Sequence, residues 1–258
     1  MSTVTWSSDG TSVTKTVRLD APATAFAPRR AILSHHGHRP SPRRQYAYEL
    51  RVNQLLARRP PPVTVPRLVA HDRARGVLTF ERVPGEPFGP KFPQELAPED
   101  LRTLATLARA TRTYAPRPRW LRRLPIQSRL RRGHASGLLA ATEHRALASA
   151  VSGLGLRWVF GHGDVTPRNV LRGRDGPVLI DWEWAGLYPD GYELAFLWFV
   201  LADLPEARHL VAADIEGDPR GFWFSALLIQ LLHLEWIEGP FRSRHLATKN
   251  ELVSRLLD

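Results

Sequence analysis

Asp164, Asn169 and Asp181 are the residues whose types and spacing could do chemistry together. They fall within 160–183, F-G-H-G-D-V-T-P-R-N-V-L-R-G-R-D-G-P-V-L-I-D-W-E. Two carboxylates and an amide oxygen are a ligand set for a hard cation such as Mg²⁺, with one carboxylate left over to take a proton. They can act together only if the chain brings them to one place. Val170-Leu171 and Val178-Leu179-Ile180 read as short strands, and Asp175-Gly176 between them favours a tight reversal. A hairpin here puts Asn169, just before the first strand, and Asp181, just after the second, at the same end. Asp164 stands five positions before Asn169, in a loop tightened by Gly161, Gly163 and Pro167. An ordinary hairpin with acidic surface residues is the plain alternative. It leaves unexplained why His162, Asp164, Asn169 and Asp181 all sit at strand ends.

The spacing D-x-x-x-x-N, followed by a strand-end Asp, is that of the kinase catalytic loop and its metal-binding Asp. Here the loop opens His162-Gly163-Asp164, and the second motif is Asp181-Trp182-Glu183. In that form the stretch resembles the aminoglycoside phosphotransferase family, kinase-like small-molecule phosphotransferases related to choline kinases. The resemblance covers nearly the whole chain in layout, with motif-level matching confined to 160–183 and a few earlier positions. It implies an α+β, protein-kinase-like two-lobed fold. A small, mostly antiparallel β N-lobe would span 1–83, and a larger, mainly α-helical C-lobe would span 84–258. It further implies ATP (GTP possible) and Mg²⁺ as cofactors, Asp164 as the catalytic base, and Asn169 and Asp181 as metal ligands. His162 is expected to fix the loop, and Glu183 to be structural or to touch a metal-bound water. The family usually has Asp-Leu-Ala after this motif, its carboxylate bracing the catalytic loop; this chain has Glu193-Leu194-Ala195.

The preceding elements must position the nucleotide. Residues 4–6 and 13–17 alternate like half-buried strands. In a kinase-like fold the loop between them, with Ser8 and Gly10, covers the phosphates. A fixed cation against the phosphates is also required. The only lysines are Lys15, Lys91 and Lys249, and Lys91 and Lys249 lie far from any N-terminal strand, so Lys15 takes that role, with Arg18 as the fallback. Residues 21–43 read as a Pro-, Ala-, Arg- and His-rich loop, in which His35, His36 and His38 are expected to be solvated. Ser41-Pro42 then caps a helix carrying the stripe Tyr48, Val52, Leu55 and Leu56, and its Glu49 is the candidate partner of Lys15. Residues 65–70 and 77–81 read as the next strands. The resemblance assigns the adenine contacts to backbone groups of Glu81 and Val83, with Pro84-Gly85 at the lobe boundary.

Composition narrows the function classes. The 258 residues contain no cysteine, which excludes disulfides, thiol nucleophiles and Cys-ligated zinc. The N-terminus lacks the pattern of a signal peptide, and the most apolar stretch, 221–237, is too short and too interrupted to span a bilayer. A soluble, cytoplasmic protein without a membrane partner is expected. The formal charge of +11 is nearly all arginine, as a GC-rich coding bias would give. No zinc-finger, homeodomain or RNA-recognition signature accompanies it, so nucleic acid is not the expected partner. The basic run 117–132 reads as a solvated helix face or connector, or as a contact for an anionic partner. Acidic residues Asp203, Glu206, Asp214, Glu216, Asp218, Glu235 and Glu238 would suit a cationic acceptor, or simply form a charged helix surface. The resulting expectation is Mg²⁺-dependent transfer of a γ-phosphoryl group to a small hydroxylated acceptor, an aminoglycoside-type or other antibiotic or natural product, by a monomer or homodimer. A metal-dependent phosphohydrolase using His162, Asp164, Asp181 and Glu183, and a non-catalytic arginine-rich nucleotide- or nucleic-acid-binding module, stay open beside it.

Overall fold

The computed structural model describes residues 2–6, 10–17, 19, 41–116, 118–213, 215, 219–235 and 237–258. Ser8, Arg18, His35, His36, His38, Arg117, Asp214, Glu216 and Asp218, singled out above, lie outside them.

The fold has two lobes. Strands β1 (Ser2–Trp6), β2 (Ser12–Val17), β3 (Leu68–Asp72) and β4 (Val77–Glu81) form an antiparallel sheet in the order β1-β2-β4-β3. β3 starts later than the expected 65–70, since Pro66 has no N–H for a ladder, and its register shifts between Leu68 and Ala70. Helix α1 (Pro42–Arg58) follows the cap expected at Ser41, whose hydroxyl accepts the Arg44 N–H. One face of α1 packs Tyr46 and Leu50 against Val17 and Leu78 of the sheet, a small core of its own. The other sends Tyr48, Val52 and Leu56 into the large core of the helical lobe. The helical pattern at 42–58 thus serves two cores at once.

The larger lobe holds α2 (Pro98–Thr113), α3 (Ile126–Ala135), α4 (Ala141–Gly153), α5 (Tyr192–Val200), α6 (Pro205–Ala213), α7 (Pro219–Leu234) and α8 (Pro240–Leu257). α5 and α7 are apolar nearly all round and buried, as helices at the centre of a lobe must be. The lobe also holds two small ladders, β5 (Trp158–Gly161) with β8 (Gly186–Pro189), and β6 (Val170–Gly173) with β7 (Gly176–Leu179). The second is the expected hairpin, with Arg174-Asp175 at its tip. The chain leaving β4 is laid onto β6: Phe88 N–H donates to Val170 O, and Arg172 N–H to Glu86 O. Among the described residues, no helix is long and apolar enough to cross a membrane.

Candidate active site

The hairpin register pairs Val170 with Leu179, and Ile180 N–H donates to Asn169 O at 2.9 Å. Asn169 and Asp181 therefore leave the hairpin at one end. Asn169 Nδ2 donates to both the backbone oxygen and Oδ2 of Asp164, each at 2.9 Å, closing the 164–169 loop on itself. His162 is buried; its Nε2 donates to Ile180 O and its Nδ1 accepts the Asp164 N–H, so the neutral ring ties loop to hairpin. Burial depresses its proton affinity, which keeps it in that state. Glu193, at the start of α5, reaches the same loop, its Oε1 accepting the Gly163 N–H at 2.6 Å. Burial pushes this carboxyl up to about 7, against the pull of the N–H groups of Gly163, Val165 and His162. The longer side chain thus makes the bracing contact, filling space above Gly161 where a Cβ would collide with it. Gly163 has φ +85°, and a Cβ there would run into Tyr188 Oη and Trp184 O.

Lys15 gathers the second half of the site. Its Nζ lies 2.8 Å from Glu49, 2.9 Å from Asp181 and 2.9 Å from Glu183. Burial works against the ammonium, but the three carboxylates outweigh it and hold its pKa well above the ordinary lysine value. Burial, opposed by Lys15, pushes Glu49 up to about 7, and it raises Glu183 as well. Asp181 goes the other way: its enclosure is outweighed by Lys15, with help from His162 and Arg168, and it stays below the usual carboxylate range. One ammonium facing three carboxylates biases the two glutamates toward protonation and leaves the charge on Asp181.

The donor set fits a hard divalent cation. Both Asn169 Nδ2 hydrogens are spent on Asp164, so the atom the amide has left to offer is its carbonyl oxygen. Asp181 is kept ionised and 39 % exposed. It also holds φ +65°, the only positive φ outside glycine among the described residues. That conformation, left-handed for a non-glycine residue, is a strain of the kind that collects at functional sites. Glu49, Asp181 and Glu183 likewise present carboxylate oxygens within 4.8 Å of one another.

The family model of the "Phosphotransferase enzyme family" matches residues 10–222. The chain belongs to that family. Solved structures of similar fold include the choline kinase LicA from Streptococcus pneumoniae, at 13 % identity and a TM-score of 0.62, covering 98 % of this chain and 90 % of that one. The macrolide 2'-phosphotransferase MphH from Brachybacterium faecium gives 16 % and 0.55, with 96 % and 87 % covered. The aminoglycoside phosphotransferase APH(3'')-Id from Streptomyces rimosus gives 20 % and 0.51, with 90 % and 89 % covered. Among curated proteins no sequence matches significantly. These likenesses identify the two-lobed kinase-like fold in this phosphotransferase.

The positions expected to face a nucleotide are less distinctive. Gly10 takes φ +68°, and its carbonyl accepts from Arg82 Nη1. Glu81 N–H is committed to Arg67 O and its carboxylate to Arg67 Nε, while half-buried Val83 lies beyond β4 near Gly173. One residue escaped the sequence reading. Lys91, set aside for its distance from the N-terminal strands, places Nζ 2.7 Å from Asp164 Oδ1. Its signal is the scarcity of lysine, but what delivers it is tertiary: residues 86–88 pair with β6, Gly89 packs by Pro167, and Lys91 follows. The basic run is a connector leading into α3, with Arg119, Arg123 and Arg131 exposed and others packed. Arg122 lies over the Tyr48 ring, Arg123 over Trp158, and Arg129 is buried.

Proposed function

We propose that this phosphotransferase moves the γ-phosphoryl group of ATP (or GTP) to a hydroxyl of a small molecule, with Mg²⁺ as the metal. The acceptor is a hydroxylated compound such as an antibiotic or other natural product. The observation that carries the reading is the pairing of Lys15 with Glu49 and Asp181, together with the Asp164–Asn169 couple, whose Asn169 flanks the same hairpin end as Asp181. In the transfer, the acceptor oxygen bonds to phosphorus, the bond from phosphorus to the β,γ-bridging oxygen breaks, and the acceptor proton passes to Asp164. Asp164 mainly orients that hydroxyl, because the transferred group is nearly metaphosphate-like at the transition state. Lys15, steadied by Glu49, neutralises phosphate charge. Asn169 and Asp181 would hold the Mg²⁺, which supplies further charge neutralisation on the phosphates. The turn with Ser8 and Gly10 covers the phosphates, and the backbone at Glu81 and Val83 meets the base. Residues 1–83 form the nucleotide lobe and 84–258 the lobe with the catalytic loop and acceptor site. The protein works in the cytoplasm as a monomer or homodimer.

The test is nucleoside diphosphate release from ATP and GTP with Mg²⁺, with and without a panel of hydroxylated antibiotics and metabolites. Acceptor-dependent release should fall about 10²- to 10⁴-fold in Asp164→Ala, with nucleotide binding retained. Turnover retained in that variant would sink the assignment of the base. Release independent of any acceptor would favour a phosphohydrolase.

A further inference from the structure

Both oxygens of the Asp164 carboxylate are occupied from within the chain. Asn169 takes Oδ2, and the Lys91 ammonium takes Oδ1 at 2.7 Å. The Lys15 cluster takes neither. Lys91 comes from the helical lobe: its ammonium lies 5.1 Å from the centroid of the Phe196 ring on α5. Its side chain is only 15 % exposed, so it requires an anion beside it, and in this state the anion is Asp164 itself. A hydroxyl bound for the same carboxylate must therefore meet the ammonium first.

Among the described residues, two carboxylates of this lobe are already paired. Asp203 is engaged by Arg244 and by Gln94. Glu235 faces Arg132 at 3.8 Å. Buried Arg129 adds positive charge near His233, whose own proton affinity burial depresses to about 3, so that ring is neutral. Beside Lys91, the exposed Phe92 stands edge-on to Phe199 and offers an apolar wall. An acceptor bearing ammonium groups would find these two carboxylates taken and a fixed cation at the base.

We propose that Lys91 is the specificity residue of the acceptor site: the acceptor carries a carboxylate or phosphate close to its reacting hydroxyl, and that anion draws Lys91 off Asp164 as it binds. The proposal rests on the phosphotransfer reading above. Exchange of one anion for another costs the ammonium no counter-ion, and it frees Oδ1 to receive the hydroxyl. A neutral acceptor gains nothing from Lys91, and a cationic one is repelled.

Four three-carbon probes that differ mainly in charge test this: glycerate, glycerol 3-phosphate, glycerol and 3-amino-1,2-propanediol. Each is titrated calorimetrically into the full chain with Mg²⁺ and ADP, and assayed for nucleoside diphosphate release with ATP. The two anionic probes should bind in preference to the others, and their ranking distinguishes carboxylate from phosphate. Lys91→Met should weaken the anionic probes at least about tenfold, as loss of a charge-assisted contact does, but should not weaken glycerol, whose hydroxyl no longer has to displace the ammonium from Oδ1. Lys91→Glu should favour the aminodiol. Asp164→Asn should abolish transfer yet bind the anions more tightly, because the internal competitor for Lys91 is gone. Equal or better binding of the aminodiol by the unaltered protein, or no anion binding that depends on Lys91, overturns the proposal. So does a Lys91→Met variant whose KM rises for ATP alone, which would make Lys91 a nucleotide contact. Lys91-dependent anion binding without diphosphate release from any probe would uphold the anion site and strike the phosphotransfer reading instead.

Discussion

Removing one charge from the Lys15 cluster leaves the other groups without their partner. In Lys15→Met, three carboxylates would share a cleft with no ammonium, and breaking a buried pair costs about 3 kcal/mol or more. The cost should be largest near pH 8 and smaller near pH 5, where Glu49, its carboxyl raised to about 7, takes up a proton. Urea unfolding at the two pH values checks this. The same variant should lose about 10²-fold or more in kcat/KM, since a preorganised cation is missing where phosphate charge must be met. Glu193 gives a second pH signature. Its carboxyl rises from 4.5 unfolded to about 7 folded, so the folded protein binds the extra proton between those values. Stability supplied by this group is complete below about pH 4.5 and is lost as pH rises through 7, by an amount on the order of 3 kcal/mol. Glu193→Gln keeps an acceptor for the Gly163 N–H and should flatten that slope; an unchanged pH–stability curve would show that Glu193 does not titrate there.

At the scale of elements, the site depends on how α1 meets the turn after β7. Gln45 Nε2 donates to Glu183 O, and Tyr48 Oη donates to Ala185 O at 2.5 Å. Arg122 completes the joint, donating to Gln45 Oε1 and lying over the Tyr48 ring. The helix that carries Glu49 is thereby locked to the turn that carries Asp181 and Glu183, which lets Lys15 from β2 meet all three. Tyr48→Phe removes a buried hydrogen bond and leaves the Ala185 carbonyl without this donor. It should destabilise the protein by about 1–3 kcal/mol in chemical denaturation and lower kcat more than it alters acceptor KM.

Over the whole molecule, the two cores are unequal. The sheet's own buried cluster is Val17, Tyr46, Leu50 and Leu78, whereas the helical lobe buries most of the remaining apolar side chains. Leu78→Ala should cost about 2–5 kcal/mol, as large-to-small core changes do. Its effect should fall first on nucleotide KM. Tryptophan fluorescence should report little change under native conditions, because all but Trp6 lie beyond residue 84. An equal loss of fluorescence and nucleotide binding would mean that the lobes unfold as one unit. The arginine excess also has a molecular-scale use. Guanidinium groups cover Trp120, Tyr48, Trp158, Phe88, Trp198 and Trp223, so six of the positive charges also serve as packing against rings.

The hairpin, the capped helix at 42–58 and the grouping of Asp164, Asn169 and Asp181 were legible in the sequence because they are local. A two-residue turn sets strand register, and register sets which end each flanking residue occupies. Strand alternation likewise allowed Lys15 to point inward, without saying what it would meet. Only the tertiary structure decided the rest. Glu183 joins Lys15, Glu193 spans the added methylene to the loop, and Lys91 reaches Asp164 across 73 positions of sequence. None of these contacts leaves a periodicity or a short motif. They depend on which buried charge finds a counter-ion within about 3 Å once the lobes have closed on each other.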